Sequence, residues 1–341
     1  MKKFFLVAAI ICVLIIIGTT SCERKKDKRE KPAAGIECPE FSADSAFCYV
    51  KRQTDFGPRV PNSEAHDNCA AFLAAELGRF CDTVEIQHFD VKAYDGTVLH
   101  SQNIIGRFSP ENERRIILAS HWDSRPLADH DPNEANREKP IDGANDGASG
   151  VGVLLEVARQ LAAKNPKIGV DIIFFDAEDY GTPSSVDLPG DWWGLGSQHW
   201  ARQAAATGYN AEFGILLDMV GASDATFYHE SFSAYYANDI VSKVWGTANK
   251  LGYGQYFINE SAHPITDDHL YVNKYANIKM IDIIHQDKKS GTGFSPVWHT
   301  LDDNIGNIDK NTLFVVGTTL LAVIENYKSH QINSLEYYVS R

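Results

Sequence analysis

The sequence predicts an α/β fold: a single domain with a central mixed, largely parallel β-sheet flanked by helices. Two observations carry this. Apolar runs of strand length alternate with stretches of helical spacing, an order that builds a largely parallel sheet covered on both faces. Three of those runs also end on polar side chains, at His121, at Glu178-Asp179 and at Asp218. In open sheets of this kind ligands bind beyond the carboxyl ends of the strands.

The elements follow in order. Residues 1–22 read as an export signal: Lys2-Lys3, an unbroken apolar run from Phe4 to Ile17, then small residues ahead of Cys22. The run is shorter than the ~20 residues a membrane-spanning helix needs. It resembles a bacterial lipoprotein signal with Cys22 as the lipidated residue. That resemblance implies a membrane-anchored protein of the cell envelope. Residues 23–37, dense in Lys, Arg and acids, read as a flexible tether. The remaining residues 38–341 read as one domain.

Phe41 to Arg52 and Glu64 to Phe80 have helical spacing, with a turn at Phe56-Gly57-Pro58-Arg59 between them. Thr83 to Lys92 and Val98 to Phe108 alternate as strands, and Arg115 to Ser120 is a short central strand ending at His121. Gly147 to Ala163 is a helix and Val170 to Phe175 a buried strand. Ser197 to Ala206 is helix, Phe213 to Leu217 strand, Ala234 to Leu251 helix, Lys279 to Ile284 strand, and Asn311 to Tyr327 a closing helix. Tyr180 to Trp193, rich in Gly, Pro and Ser, reads as an irregular loop.

The net charge of −13 argues against non-specific nucleic-acid binding. Cys38, Cys48, Cys69 and Cys81 all lie early in the domain. An exported protein can pair them, but four cysteines allow three pairings and the sequence does not choose.

Five separated segments carry metal-type side chains: His121-Trp-Asp123, Asp146-Gly-Ala, Glu178-Asp179, Asp218 and Trp298-His299. A carboxylate and imidazole set without Cys suits a catalytic zinc, which takes about three protein ligands and keeps a position open. Each residue also has a bland reading. Asp146 precedes a helix and suits its N-cap. Glu178-Asp179 reads as a solvated acidic loop, Asp267 as a surface turn, and the tryptophans as core. Adjacent acids cannot face the same way on an extended segment, so one of the pair is free to bind metal while the other faces substrate.

Taken together, His121-Trp-Asp-Ser, Gly143-Ala-Asn-Asp146-Gly-Ala-Ser, Phe174-Phe-Asp-Ala-Glu178-Asp179, Leu217-Asp218 and Trp298-His299-Thr resemble the zinc aminopeptidase-like superfamily. The likeness runs from about Phe56 to the closing helix. It implies one of two activities. In the two-zinc aminopeptidases His121 and Asp218 would hold one metal, Asp179 and His299 the other, and Asp146 would bridge them. In the glutaminyl cyclases a single zinc would sit on Asp146, Asp179 and His299.

Three segments resemble the cyclases more closely: Thr266-Asp267-Asp268-His269, the lead-in Phe294-Ser-Pro-Val-Trp298 to His299, and the loop bearing Trp192-Trp193. That implies a cyclotransferase acting on peptides and proteins with N-terminal Gln. Glu178 would shuttle the proton, with Asp218 and Asp267 in a carboxylate network behind it. Trp193, Phe294 and Trp298 would line the substrate pocket. One zinc ion would polarise the γ-amide, and His121 and Asp123 would remain as second-metal or supporting residues. The chain departs from the animal cyclases in having Asp179 where they have Glu. A non-enzymatic module on the same scaffold would have lost ligand positions, and here all are filled.

Overall fold

The computed structural model describes residues 38–164, 166, 168–183 and 185–339, with side chains through 327. The signal, Cys22 and the tether expected over 1–37 lie outside the described residues. From Cys38 onward the elements are α1 (Ala43–Thr54), α2 (Glu64–Gly78), β1 (Thr83–Lys92), β2 (Val98–Phe108), β3 (Arg115–His121), α3 (Ala148–Lys164), β4 (Gly169–Phe175) and α4 (Leu195–Thr207). They continue with β5 (Phe213–Asp218), β6 (Phe227–His229), α5 (Ser231–Lys250), β7 (Phe257–Ser261), α6 (Asp268–Tyr271), β8 (Met280–Ile284) and α7 (Lys310–Val339).

Six strands form one sheet in the order β1-β2-β4-β3-β5-β8. β4, β3, β5 and β8 run parallel, and β1 and β2 join antiparallel at one edge, so the sheet is mixed as the sequence predicts. Alternation across the pleat sorts the core. Ile116 and Leu118 of β3, Ile172 and Phe174 of β4, and Ile215 and Leu217 of β5 face the larger layer built from α1, α3, α5 and α7. Ile117, Ala119, Ile173, Phe175 and Leu216 face the smaller layer, where α4 packs with the π-helical turn Val272–Ala276. Both faces are covered, which is why these strands read as continuous apolar runs.

Gly152 sets the approach of α3 to α1. A Cβ there would lie 2.6 Å from Val50 Cγ2 and 2.8 Å from the Ala46 carbonyl oxygen. Two short strands, β6 and β7, pair as a separate ribbon; the sequence reading did not find them, nor α6 with the turn that follows it. The closing helix extends beyond the predicted Tyr327. Cys38, Cys48, Cys69 and Cys81 are all free thiols, which answers the open pairing question. No described helix is long and apolar enough to cross a membrane.

The register fixes where function can lie. His121 at the end of β3 pairs with Phe175 at the end of β4, and Asp218 at the end of β5 pairs with Ile284 at the end of β8. The polar strand ends therefore meet along one sheet edge.

Candidate metal centre and active site

His121 and Asp218 close their strands, and Asp176-Ala177-Glu178-Asp179 follows β4 directly. Asp146 comes from the turn entering α3, Asp267 caps α6, and His299 lies in the turn after Trp298. All of these acids and imidazoles are buried. Ala177, Met219 and His299 hold φ of 52°, 49° and 53°. Left-handed backbone is uncommon outside glycine, and it gathers at sites where surrounding structure holds it.

Donor atoms of Asp146, Asp179 and His299 lie within 4.8 Å of one another. His299 Nε2 is 3.3 Å from Asp179 Oδ1 and 3.7 Å from Asp146 Oδ2. Asp179 Oδ2 is buried without a hydrogen-bond partner among the described residues. Two carboxylates and an imidazole, one with an oxygen left over, fit a zinc ion. His121, Asp146 and Asp218 form a second such group. There His121 Nε2 lies 3.0 Å from Asp146 Oδ1 and 3.1 Å from Asp218 Oδ1. Asp146 thus stands between the two groups with one oxygen toward each.

The helix-cap reading of Asp146 does not describe its carboxylate. The residue that serves that turn is Asp303, whose carboxylate accepts the N–H of Asn145 at 2.7 Å and of Asp146 at 3.0 Å. Asp123 supports His121, with Oδ1 3.4 Å from Nδ1. It also accepts the N–H groups of Glu178 and Asp179, both at 3.1 Å. The acidic pair is therefore held at its backbone and is not a solvated loop, and Asp267, 3% exposed, is not a surface turn.

Crowded buried acids raise one another's proton affinity. Burial first, then the neighbouring Asp146 charge, push Asp179 up to about 6 and Asp218 up to about 7. Burial also lifts Glu178 well above the ordinary carboxylate range; His121 opposes this, and Asp267 and Asp268 add to it. Burial would lower the His121 pKa, but hydrogen bonds to Asp123, Asp146 and Asp218 raise it well above the usual imidazole value. The group gathers more carboxyls than imidazoles, as suits a cation-binding centre.

These acids floor a cavity of about 290 Å³ walled by Trp193, Phe294 and Trp298. Trp298 stacks on His299 with ring centroids 3.7 Å apart, and Phe294 packs on Trp298 at 4.6 Å. Trp193 lies nearly parallel to His299, 12° and 6.2 Å away. Both tryptophans are half-buried and face the cavity, so they are wall and not core. The structure thus brings together every site residue the sequence singled out.

It also adds some that sequence reading missed. Asp282 is a buried acid beside Asp267, as is Asp268 of the Thr266-Asp267-Asp268-His269 segment singled out in the sequence, and Asp303, pushed up to about 7 by burial and by Asp146, seats the Asp146 turn. Asp282 had a visible signal, being an acid inside an apolar strand.

The profile of Peptidase family M28 matches residues 103–324. A glutaminyl-peptide cyclotransferase of Drosophila melanogaster is 26% identical, aligned over 75% of this chain and 73% of its own length. Among solved structures, a Zn-dependent exopeptidase from Parabacteroides distasonis is 55% identical, with a TM-score of 0.83 over 84% of this chain and 99% of that one. A glutaminyl cyclase from Tannerella forsythia is 56% identical, with a TM-score of 0.82 over the same shares.

Proposed function

The chain belongs to peptidase family M28, and from that premise we propose that it is a zinc-dependent glutaminyl-peptide cyclotransferase, converting N-terminal Gln of peptides and proteins to pyroglutamate with release of ammonia. The observation that carries this is Glu178. It is a buried carboxylate of raised proton affinity on the floor of a small aromatic-walled cavity. The chain that carries it is 56% identical to a glutaminyl cyclase from Tannerella forsythia.

The reaction is intramolecular. The α-amine nitrogen bonds to the side-chain amide carbon, the amide C–N bond breaks and ammonia leaves. Holding the residue folded so that amine and carbonyl meet gives much of the acceleration. A cavity of about 290 Å³ holds one residue rather than a long peptide. Trp193, Phe294 and Trp298 enclose the methylenes and exclude water. Glu178 takes a proton from the attacking amine and returns it to the departing nitrogen, which asks for a pKa between those of an ordinary acid and an amine. Asp218 and Asp267 line the same cavity, where they accept hydrogen bonds from the amine and from the leaving group. Asp146, Asp179 and His299 would hold one zinc ion, which when bound supplies Lewis-acid polarisation of the γ-carbonyl.

The second reading is a two-zinc aminopeptidase, favoured by the His121, Asp146 and Asp218 group. A paired assay separates the two. Purified chain is given a Gln-initiated peptide, followed for ammonia, and a Leu-initiated peptide, followed for free leucine, with zinc counted in the same sample. Ammonia alone with about one zinc per chain, the catalytic complement, establishes the cyclase. Free leucine with two zinc ions overturns it and places His121 and Asp218 on metal.

We further propose that the chain is exported and anchored by lipid on Cys22, which directs it to envelope proteins whose new N-terminus is Gln. Cys22→Ser should then move the protein from the membrane to the soluble fraction; an unchanged distribution would contradict the anchor.

A further inference from the structure

His299 must hold a left-handed backbone, φ 53°, while presenting Nε2 to Asp146 and Asp179. Something must keep it there. The segment after the His121-Trp-Asp123 motif reaches the His299 turn at three consecutive residues. Asp129 Oδ1 lies 3.3 Å from His299 Nδ1. The His130 N–H donates to the His299 carbonyl at 3.1 Å, and its ring packs 4.5 Å from Trp298. Asp131 Oδ2 accepts the Leu301 N–H at 3.1 Å.

Arg125, 1% exposed, ties this segment to the opposite wall. Its Nε and Nη2 grip both Asp129 oxygens at 2.7 and 2.8 Å. Its Nη1 donates to the Asp179 carbonyl at 3.0 Å. Its Cζ sits 4.9 Å from the Trp193 ring.

We propose that Arg125 and Asp129 are positioning residues that form, with His130 and Asp131, a clasp fixing His299 for metal and Trp193 for substrate. The inference rests on the zinc-cyclase reading above.

The chemistry follows from the atoms. With Nε2 turned to the acids, Nδ1 must carry the proton, and a carboxylate at Nδ1 fixes that tautomer and raises the basicity of the ligand. Asp129 is held in place to do this by Arg125, whose Nε and Nη2 take both of its oxygens. A buried ion pair is weak evidence for stability by itself. Here the guanidinium fork is committed to two oxygens, and the remaining nitrogen reaches the backbone of a second proposed ligand, Asp179. Its flat face against Trp193 is a cation–π contact. One cation therefore sets both the ligand side and the wall of the cavity.

The test uses the full chain with zinc and three variants: Asp129→Asn, Asp129→Glu and Arg125→Lys. Zinc affinity is measured by chelator competition, KM and kcat with a Gln-initiated peptide at saturating zinc, and folding by melting of the zinc-free protein. Asp129→Asn should weaken zinc binding roughly 10- to 100-fold, and Asp129→Glu should recover part of that loss. Arg125→Lys keeps the charge and loses the fork. It should weaken zinc binding and also raise KM several-fold, because Trp193 loses its platform.

Folded variants with wild-type zinc affinity and KM overturn the clasp. So does a loss in Asp129→Asn that Asp129→Glu does not recover. Wild type that binds zinc but releases leucine refutes the cyclase reading alone, and the affinity comparison still decides the clasp. Wild type that takes no zinc overturns both.

Discussion

Glu178 and Asp179 are neighbours with the same functional group, and their backbone N–H groups bind the same Asp123 carboxylate. Yet their side chains do different work. Asp179 faces His299 at 3.3 Å, whereas Glu178 answers electrostatically to His121, Asp267 and Asp268 across the cavity. Position therefore separates the proposed ligand from the proposed proton carrier. Glu178→Gln tests this, because the amide keeps the shape and cannot accept the proton. We expect kcat for ammonia release to fall roughly 10²- to 10⁴-fold, with KM and zinc content close to wild type. A loss smaller than tenfold would remove Glu178 from the proton path. Loss of zinc would make it a ligand.

At the scale of elements, Glu230 shows how a helix end can hold the site. It caps α5 with Oε1 on the Phe232 N–H at 2.8 Å and Oε2 on the Ser233 N–H at 2.6 Å. Oε1 also accepts the Ile265 N–H at 3.0 Å, and Oε2 lies 3.0 Å from His269 Nε2. The cap thus anchors the loop and short helix that carry Asp267. Burial would raise its pKa, but His269 and the two cap N–H groups bring it down to about 2. A lowered folded-state pKa means stability that is full above the unfolded value near 4.5 and is lost as pH falls toward 2. The shift corresponds to on the order of 3 kcal/mol. Wild type should therefore melt well above Glu230→Gln at pH 7, and the gap should close as pH falls from about 4.5 toward 2. A gap independent of pH would show that shape, not charge, makes the cap. Glu230 was not legible in the sequence, because Glu is not a preferred capping residue. β6 and β7 were missed for a related reason: three and five residues are too short for a period to emerge. The inner sheet strands and the long helices were legible because each buries a continuous face, whereas β1 is mostly exposed and was legible from its residue pattern alone. The site was legible where polar residues close those strands. Asp303, Arg125 and Asp129 were not, because their roles exist only once loops far apart in sequence are folded together, as Asp303 with Asp146.

For the molecule as a whole, the proposed zinc would connect three distant parts: the turn entering α3, the loop leaving β4 and the turn ahead of α7. Without a cation the same place concentrates Asp146, Asp179, Asp218 and Glu178 behind low-dielectric walls, on a chain already at −13. Burial and mutual repulsion raise the proton affinity of several of these acids, so a bound cation would compete with protons there. Binding of the proposed metal would then be coupled to folding as well as to chemistry. A ligand at a thousand times its dissociation constant adds about 4 kcal/mol to a folded state. A domain of about 300 residues shifts by roughly 1.5–2 °C per kcal/mol, from an unfolding entropy of about 2.1 cal/mol/K per residue. Chelation should then lower the melting temperature by roughly 6–8 °C, and one equivalent of zinc should restore it together with ammonia release. Recovery of both at one equivalent places the stabilising and reacting ion on the same ligands. If melting recovers at one equivalent and activity only at two, His121 and Asp218 hold a working metal, and the single-zinc assignment fails. An unchanged melting temperature after complete zinc removal would mean that the acids and imidazoles satisfy one another, as His121 does between Asp146 and Asp218.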